Sequence, residues 1–214
     1  MIPVSAPPRV SSQLRATPDG PVPVVHRGRD AVYVEVGGRC LGVVSLRATA
    51  VPCALRTGRD DVPDARTAHV EAGVLHLDGE PLTIGRVVDV SVPHLSRRWS
   101  RPAPPPGDVA AMVGRGDGLT PYDDDVLCGW LAIHRAAGVA TPEVDAAVRA
   151  HLGRTTLLSA TLLDCAMHGE VIPEFAAWVA DPSRAAALAA VGHTSGRGML
   201  QGARLALDAQ EGAA

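Results

Sequence analysis

The period of the apolar residues changes once along this chain, and that change limits the fold more than any other feature. In the first half, apolar and other side chains alternate over short runs, as in Ala31-Val32-Tyr33-Val34-Glu35-Val36. A period of two turns one face of a strand toward a core. Gly37-Gly38 follows as a two-residue hairpin turn into residues 40–46, and Asp78-Gly79 repeats the device between Val74–Leu77 and residues 82–84. Further β-like runs lie at 24–26, Ala68–Glu71 and 87–92. About five to seven short strands of this kind predict a small barrel or sandwich.

After Arg101-Pro102-Ala103-Pro104-Pro105-Pro106-Gly107 the period becomes helical. Helices are expected at 125–137, from Thr141-Pro142 to Gly153, from Thr155 or Thr156 to Gly169, from Asp181-Pro182 to Gly192, and from Thr194-Ser195 to about residue 209. Hydroxyl or Asp caps open several of these segments, proline follows the cap in two, and several close on glycine. The expected class is α+β, an N-terminal β-rich barrel or sandwich-like part followed by an all-helical C-terminal part. The expected divisions are a loose segment at 1–23, a β-rich domain at 24–100, a stiff Pro-rich linker at 101–107, and a helical domain with the ligand site at 108–214.

Composition narrows the chemistry. All 20 basic residues are arginine, which excludes a Schiff-base lysine and the phosphate-binding lysine of a P-loop. The net charge of −3 points to neither nucleic acid nor an anionic membrane as a partner. No apolar run approaches the roughly 18 residues of a membrane span. The start Met1-Ile2-Pro3-Val4 has no basic or apolar signal region, so a cytoplasmic location is expected. The four cysteines, at 40, 53, 128 and 165, form no CxxC pair and read as buried free thiols. The histidines show no HxH or HxxxH pairing, so a zinc site is not expected.

The chemistry-bearing stretch is Gly114-Arg115-Gly116-Asp117-Gly118-Leu119-Thr120-Pro121-Tyr122-Asp123-Asp124-Asp125. Glycines at alternate positions let the backbone bend and approach a ligand, and the following helix start favours an anion. Thr120 adds a hydroxyl. The spacing fits neither the P-loop nor the dinucleotide fingerprint. The Asp run has two readings. One Asp suffices to cap a helix, whereas three side by side repel, and Mg²⁺ or Mn²⁺ held by Asp124 and Asp125 would relieve that repulsion. Gly192-His193-Thr194-Ser195-Gly196 has the same grammar, with His193 as a candidate acid or base. It reads either as a cap or as a second anion-binding helix end. In Arg154-Thr155-Thr156-Leu157-Leu158-Ser159, a Thr caps, and Arg154 either holds an anion or forms a surface ion pair.

These three segments, in this order, resemble the AllH-type subunit family of oxamate carbamoyltransferase. That family carries G-x-G-P-G-L-T-P-S-G-D-D, then R-T-T-x-x-S, then G-H-[ST]-S-G-x-D. The resemblance covers roughly residues 110–207. Its Pro is Asp117 here, its Ser-Gly is Tyr122-Asp123, and its late Asp is Gly198. The resemblance implies carbamoyl transfer between oxamate and phosphate, in a purine- and allantoin-linked nitrogen pathway, by an enzyme of several different subunits. A small anionic substrate, carbamoyl phosphate or a nucleotide, is expected at Gly116, Gly118, Thr120, Arg154, Thr155, Thr194, Ser195 and Gly196. His193 and Asp124 are the expected catalytic residues, and Asp124 and Asp125 the expected metal ligands. The alternative is a non-catalytic regulatory or scaffolding subunit that binds partner proteins. If one site exists, Thr120, Asp124, Thr155 and Ser195 line one cleft.

Overall fold

Alternation becomes burial in the first half of the chain: Val32, Val34 and Val36 are fully buried, whereas Tyr33 and Glu35 between them are half-buried. A computed structural model describes residues 1–96 and 99–212. The chain divides into two compact units, Met1–Asp89 and Val90–Ala214. The expected linker at 101–107 therefore lies inside the second unit, and the boundary falls earlier than residue 100.

The first unit is one nine-stranded sheet. Its strands are β1 (Ile2–Ala6), β2 (Gly20–Val22), β3 (Val24–Arg27), β4 (Ala31–Val36), β5 (Arg39–Val44), β6 (Ala54–Thr57), β7 (Ala68–Glu71), β8 (Val74–Leu77) and β9 (Glu80–Val87). Their spatial order is β2-β7-β8-β9-β1-β6-β5-β4-β3. Pairing is antiparallel except for the parallel pairs β1–β9 and β5–β6. The two edge strands are separated in sequence by Pro23 alone, so the chain itself joins the two edges. The Glu35 amide donates to the Pro23 carbonyl at 2.9 Å, and the sheet curls into a nearly closed barrel. A proline suits that junction because it has no amide to leave unpaired.

Three two-residue turns set the register. Gly37-Gly38, Ala72-Gly73 and Asp78-Gly79 all have positive φ at both positions, the geometry that matches strand twist. The Asp78 carboxylate accepts from the amides of Arg66 and Thr67, which pulls its pKa below the usual carboxylate value. The expectation of a loose segment at 1–23 is corrected. Ile2–Ala6 is a central strand between β9 and β6, and α1 (Pro8–Ala16) buries Val10 and Leu14 in the barrel core. The alternating Ile2, Val4 and Ala6 are few, and the burying positions of α1 are widely spaced among prolines and arginines, so neither element stands out in the sequence.

The second unit is helical: α2 (Val109–Met112), α3 (Tyr122–Ala136), α4 (Pro142–His151), α5 (Leu157–Met167), α6 (Pro173–Ala180), α7 (Ala185–Ala189) and α8 (Ser195–Glu211). The helix α3 is central, with Trp130, Leu127, Leu131 and Ile133 fully buried. It packs on α8 at backbone contact. A Cβ at Gly129 would stand 1.9 Å from the Met199 carbonyl oxygen, and one at Gly202 would stand 1.9 Å from that of Val126. Only glycine permits this approach.

The Pro-rich stretch is fastened to α3. The Ala103 amide donates to His134 Nε2 at 2.9 Å, His134 Nδ1 faces the Trp130 carbonyl at 2.6 Å, and the Trp130 indole donates to the Pro104 carbonyl at 3.0 Å. One ring nitrogen accepts and the other donates, so the imidazole is neutral. Burial pushes its pKa down to about 4. Arg135 holds the other end of α3, with a bidentate pair to Asp145 on α4 and a bond to the Met167 carbonyl on α5. The four cysteines are buried and none is in a disulfide. No helix among the described residues is long and apolar enough to cross a membrane.

Candidate functional site

The loop before α3 is built around two glycines with positive φ. A Cβ at Gly114 would meet the Arg154 carbonyl oxygen at 2.3 Å, and one at Gly116 would meet the Tyr122 amide nitrogen at 2.5 Å. These contacts fold the loop back on the segments at 121–122 and 154–155. Gly118 also has positive φ, but open space surrounds its missing side chain. The first-turn amides of α3 are not open to a ligand as the sequence suggests. The amide of Asp123 donates to the Arg115 carbonyl, and those of Asp124 and Asp125 reach the Pro121 carbonyl.

The three aspartates do three different things. Asp123 pairs with the Arg115 guanidinium at the surface. Asp124 is fully buried, and its carboxylate accepts from the Gly114 amide at 2.8 Å, the Thr155 hydroxyl at 2.5 Å and the Ser159 hydroxyl at 2.6 Å. Both of its oxygens are engaged, which joins the glycine loop to α5. Asp125 is 4% exposed, and its Oδ2 has no hydrogen-bond partner. Desolvation pushes its pKa up to about 7; the Asp124 charge adds to the rise, and the Ser195 and Thr120 hydroxyls oppose it. A buried carboxylate oxygen without a donor is expensive to keep, and such groups concentrate where a protein binds or reacts.

The hydroxyls of Thr120 and Ser195 lie 2.9 Å apart, bringing the glycine loop and the start of α8 together over Asp125. Thr120 meets Ser195, and Asp124 meets Thr155, near the start of α3, but none of these four lines the neighbouring groove. The remaining candidates divide. Thr156 caps α5 through the Ser159 amide and donates to the Leu119 carbonyl. The Arg154 guanidinium donates to the Ala110 carbonyl, so it braces α2. Gly196 is a packing position, since a Cβ there would stand 1.8 Å from the Leu188 carbonyl oxygen. Thr194 is half-buried and makes no side-chain cap bond, while its carbonyl accepts from the Gly198 amide. His193 is exposed, and its carbonyl accepts from Arg197.

Tyr122, Asp123, Arg115 and Gln201 line a groove of about 330 Å³ beside this cluster. Its lining was not foreseen, because Gln201 meets Tyr122 only through α3–α8 packing; the tyrosine hydroxyl donates to Gln201 Oε1 at 2.5 Å.

Residues 112–207 match the family described as oxamate carbamoyltransferase subunit AllH. No curated protein and no solved structure matches the chain. The AllH-matching segment contains all three converging motifs, from the glycine loop to the start of α8. Two of its departures from the AllH pattern are neighbours in space. A Cβ at Gly198 would lie 2.8 Å from the Cβ of Asp125, 3.1 Å from the Tyr122 carbonyl oxygen and 3.4 Å from the Tyr122 ring. A side chain at 198 is therefore opposed chiefly by the Asp125 Cβ and the Tyr122 backbone carbonyl, while the tyrosine ring lies at ordinary contact distance.

Proposed function

We propose that this chain is a subunit of an oxamate carbamoyltransferase-like enzyme. In this reading a small anion, carbamoyl phosphate or oxamate, binds through the Thr120 and Ser195 hydroxyls, with Asp125 behind them as the proton-exchanging group. The observation that carries the reading is the unpartnered Oδ2 of Asp125 beneath that hydroxyl pair. A carboxyl group with a pKa near 7 stands close to the ambient proton concentration, as a general acid or base requires. At neutral pH its protonated and ionised forms are close in free energy, so it is available as either acid or base toward a bound anion. The name of the matched family supports both the reaction class and the presence of partner subunits.

Mg²⁺ or Mn²⁺ at Asp124 and Asp125 does not fit this arrangement. Both Asp124 oxygens accept protein hydrogen bonds, and no third His, Cys, Asp or Glu donor joins the pair among the described residues. Asp124 is assigned to positioning, and His193, exposed at the mouth of the turn, to contact with the anion.

Thermal unfolding with carbamoyl phosphate, phosphate, oxamate, ATP or ADP, each with and without Mg²⁺, tests the reading. A ligand at 100 times its Kd should stabilise the fold by about 2.7 kcal/mol. The expected result is a metal-independent shift with carbamoyl phosphate or oxamate that is lost in Asp125→Asn and Ser195→Ala. A shift unchanged in both variants would move the site elsewhere. A second reading, a non-catalytic subunit, is favoured by the near-complete burial of Asp125 and by Gly198. Turnover by the isolated chain would exclude that second reading.

A further inference from the structure

The outer face of the barrel carries a cluster that the function above does not use. Alternation along β7 and β8 turns Ala68, Val70, Leu75 and Leu77 into the core, so His69, Glu71 and His76 stand on the opposite face. The turn Ala72-Gly73 sets the register that places His69 directly across from His76. Their rings stack with centroids 4.4 Å apart and planes inclined by 22°. Glu71, two residues from His69 on the same face, brings a carboxylate oxygen to 3.9 Å from His76 Nε2. One ligand atom from each of the three lies within 4.8 Å of the others. On either side, β2 pairs Pro21 with His69 and β9 pairs Pro81 with His76, so the residues directly across from the two histidines bring no hydrogen-bonding side chain.

We propose that His69, Glu71 and His76 form a binding site for a borderline transition-metal ion, Zn²⁺ first among them. Two imidazole nitrogens and one carboxylate oxygen are a donor set that zinc takes, with a fourth position left to water. Tetrahedral zinc with ligands at about 2.1 Å needs donor separations of roughly 3.4 Å, so the present spacing closes by small side-chain rotations. The strands fix the Cα positions, and half-buried imidazoles have little rotamer freedom to lose on binding. The sequence conceals this site because the ligands form no HxH or HxxxH pattern. The spacing is His-x-Glu-x₄-His, wrapped around a two-residue turn. The bound ion would clamp the β7–β8 hairpin and present an open coordination position.

The test is a titration of the full chain, stripped by a chelator, with Zn²⁺ in competition with a chromophoric indicator. One zinc per chain is expected. Affinity should fall by about tenfold or more in each of His69→Gln and His76→Gln, and less in Glu71→Gln. Binding should weaken as pH falls, since ligating imidazoles must be neutral. Imidazole NMR on the unaltered protein gives an independent readout, in which zinc should shift only the resonances of two histidines. No binding, unchanged affinity in the double histidine variant, or shifts confined to other histidines would overturn the assignment.

Discussion

Replacing Asp125 by Asn should stabilise this protein above neutral pH, and the gain should vanish in acid. The carboxyl is 4% exposed, one oxygen has no donor, and its pKa rises from the ordinary 3.8 to about 7. A carboxyl whose folded pKa lies above its unfolded one favours folding while protonated. Its contribution is fully present below about pH 3.8 and is lost as pH rises through about 7. A rise of about three units corresponds to roughly 4 kcal/mol between those limits. Asn stays neutral throughout and keeps an acceptor for the Ser195 and Thr120 hydroxyls. Its amide hydrogens gain no evident acceptor, which offsets roughly 1–2 kcal/mol at every pH. The net expectation is about 2–3 kcal/mol more stability at pH 8, and a small loss at pH 4. Urea unfolding of both proteins from pH 4 to 8 measures the difference directly. A difference independent of pH would refute the buried-carboxylate argument, as would a variant less stable at pH 8. Stabilisation together with lost anion binding would mark Asp125 as retained for function against stability.

Acid should weaken the fastening of the Pro-rich stretch. His134, with a pKa lowered to about 4, is charged in the unfolded chain but neutral when folded, so stability falls as pH drops from about 6.5 toward 4. Residues 101–107 should lose amide-exchange protection first in that window; uniform protection down to pH 4 would refute the role. Gly202→Ala places a methyl 1.9 Å from the Val126 carbonyl oxygen and should cost more than about 3 kcal/mol, read as a fall in Tm of several degrees. Ser159→Ala removes one of three donors to buried Asp124 and should cost about 1–3 kcal/mol in chemical unfolding. Gly198→Asp should be strongly destabilising, and adding Tyr122→Ser should recover little of the loss, because the nearest atoms are the Asp125 Cβ and the backbone carbonyl of residue 122. A large coupling in that double-mutant cycle would refute this and tie the two departures from the AllH pattern together.

The strand alternation, the turns at Gly37-Gly38 and Asp78-Gly79, the Thr156 cap and the α+β class were legible because each is a property of neighbouring residues. The period of two needs only successive side chains, and a glycine with positive φ needs only its own missing Cβ. The central strand at Ile2–Ala6 and the helix at Pro8–Ala16 are not legible in this way, because short segments with few periodic positions give too little pattern to read. Barrel closure through Pro23 also escaped, since it depends on which strands pair across the whole unit.

The same division runs through the candidate site. Sequence marked the glycine loop, the Asp run and the two hydroxyl-rich turns as chemistry. It did not say which aspartate is free, because adjacent residues on a helix point in different directions and meet different partners. Thr155 and Ser159, 31 and 35 positions away, take Asp124 out of play, and Ser195, 75 positions from Thr120, closes over Asp125. Adjacent, chemically identical side chains thus become a surface ion pair, a structural pin and a strained carboxylate through burial and the donors that packing supplies. Those are properties of the tertiary structure alone.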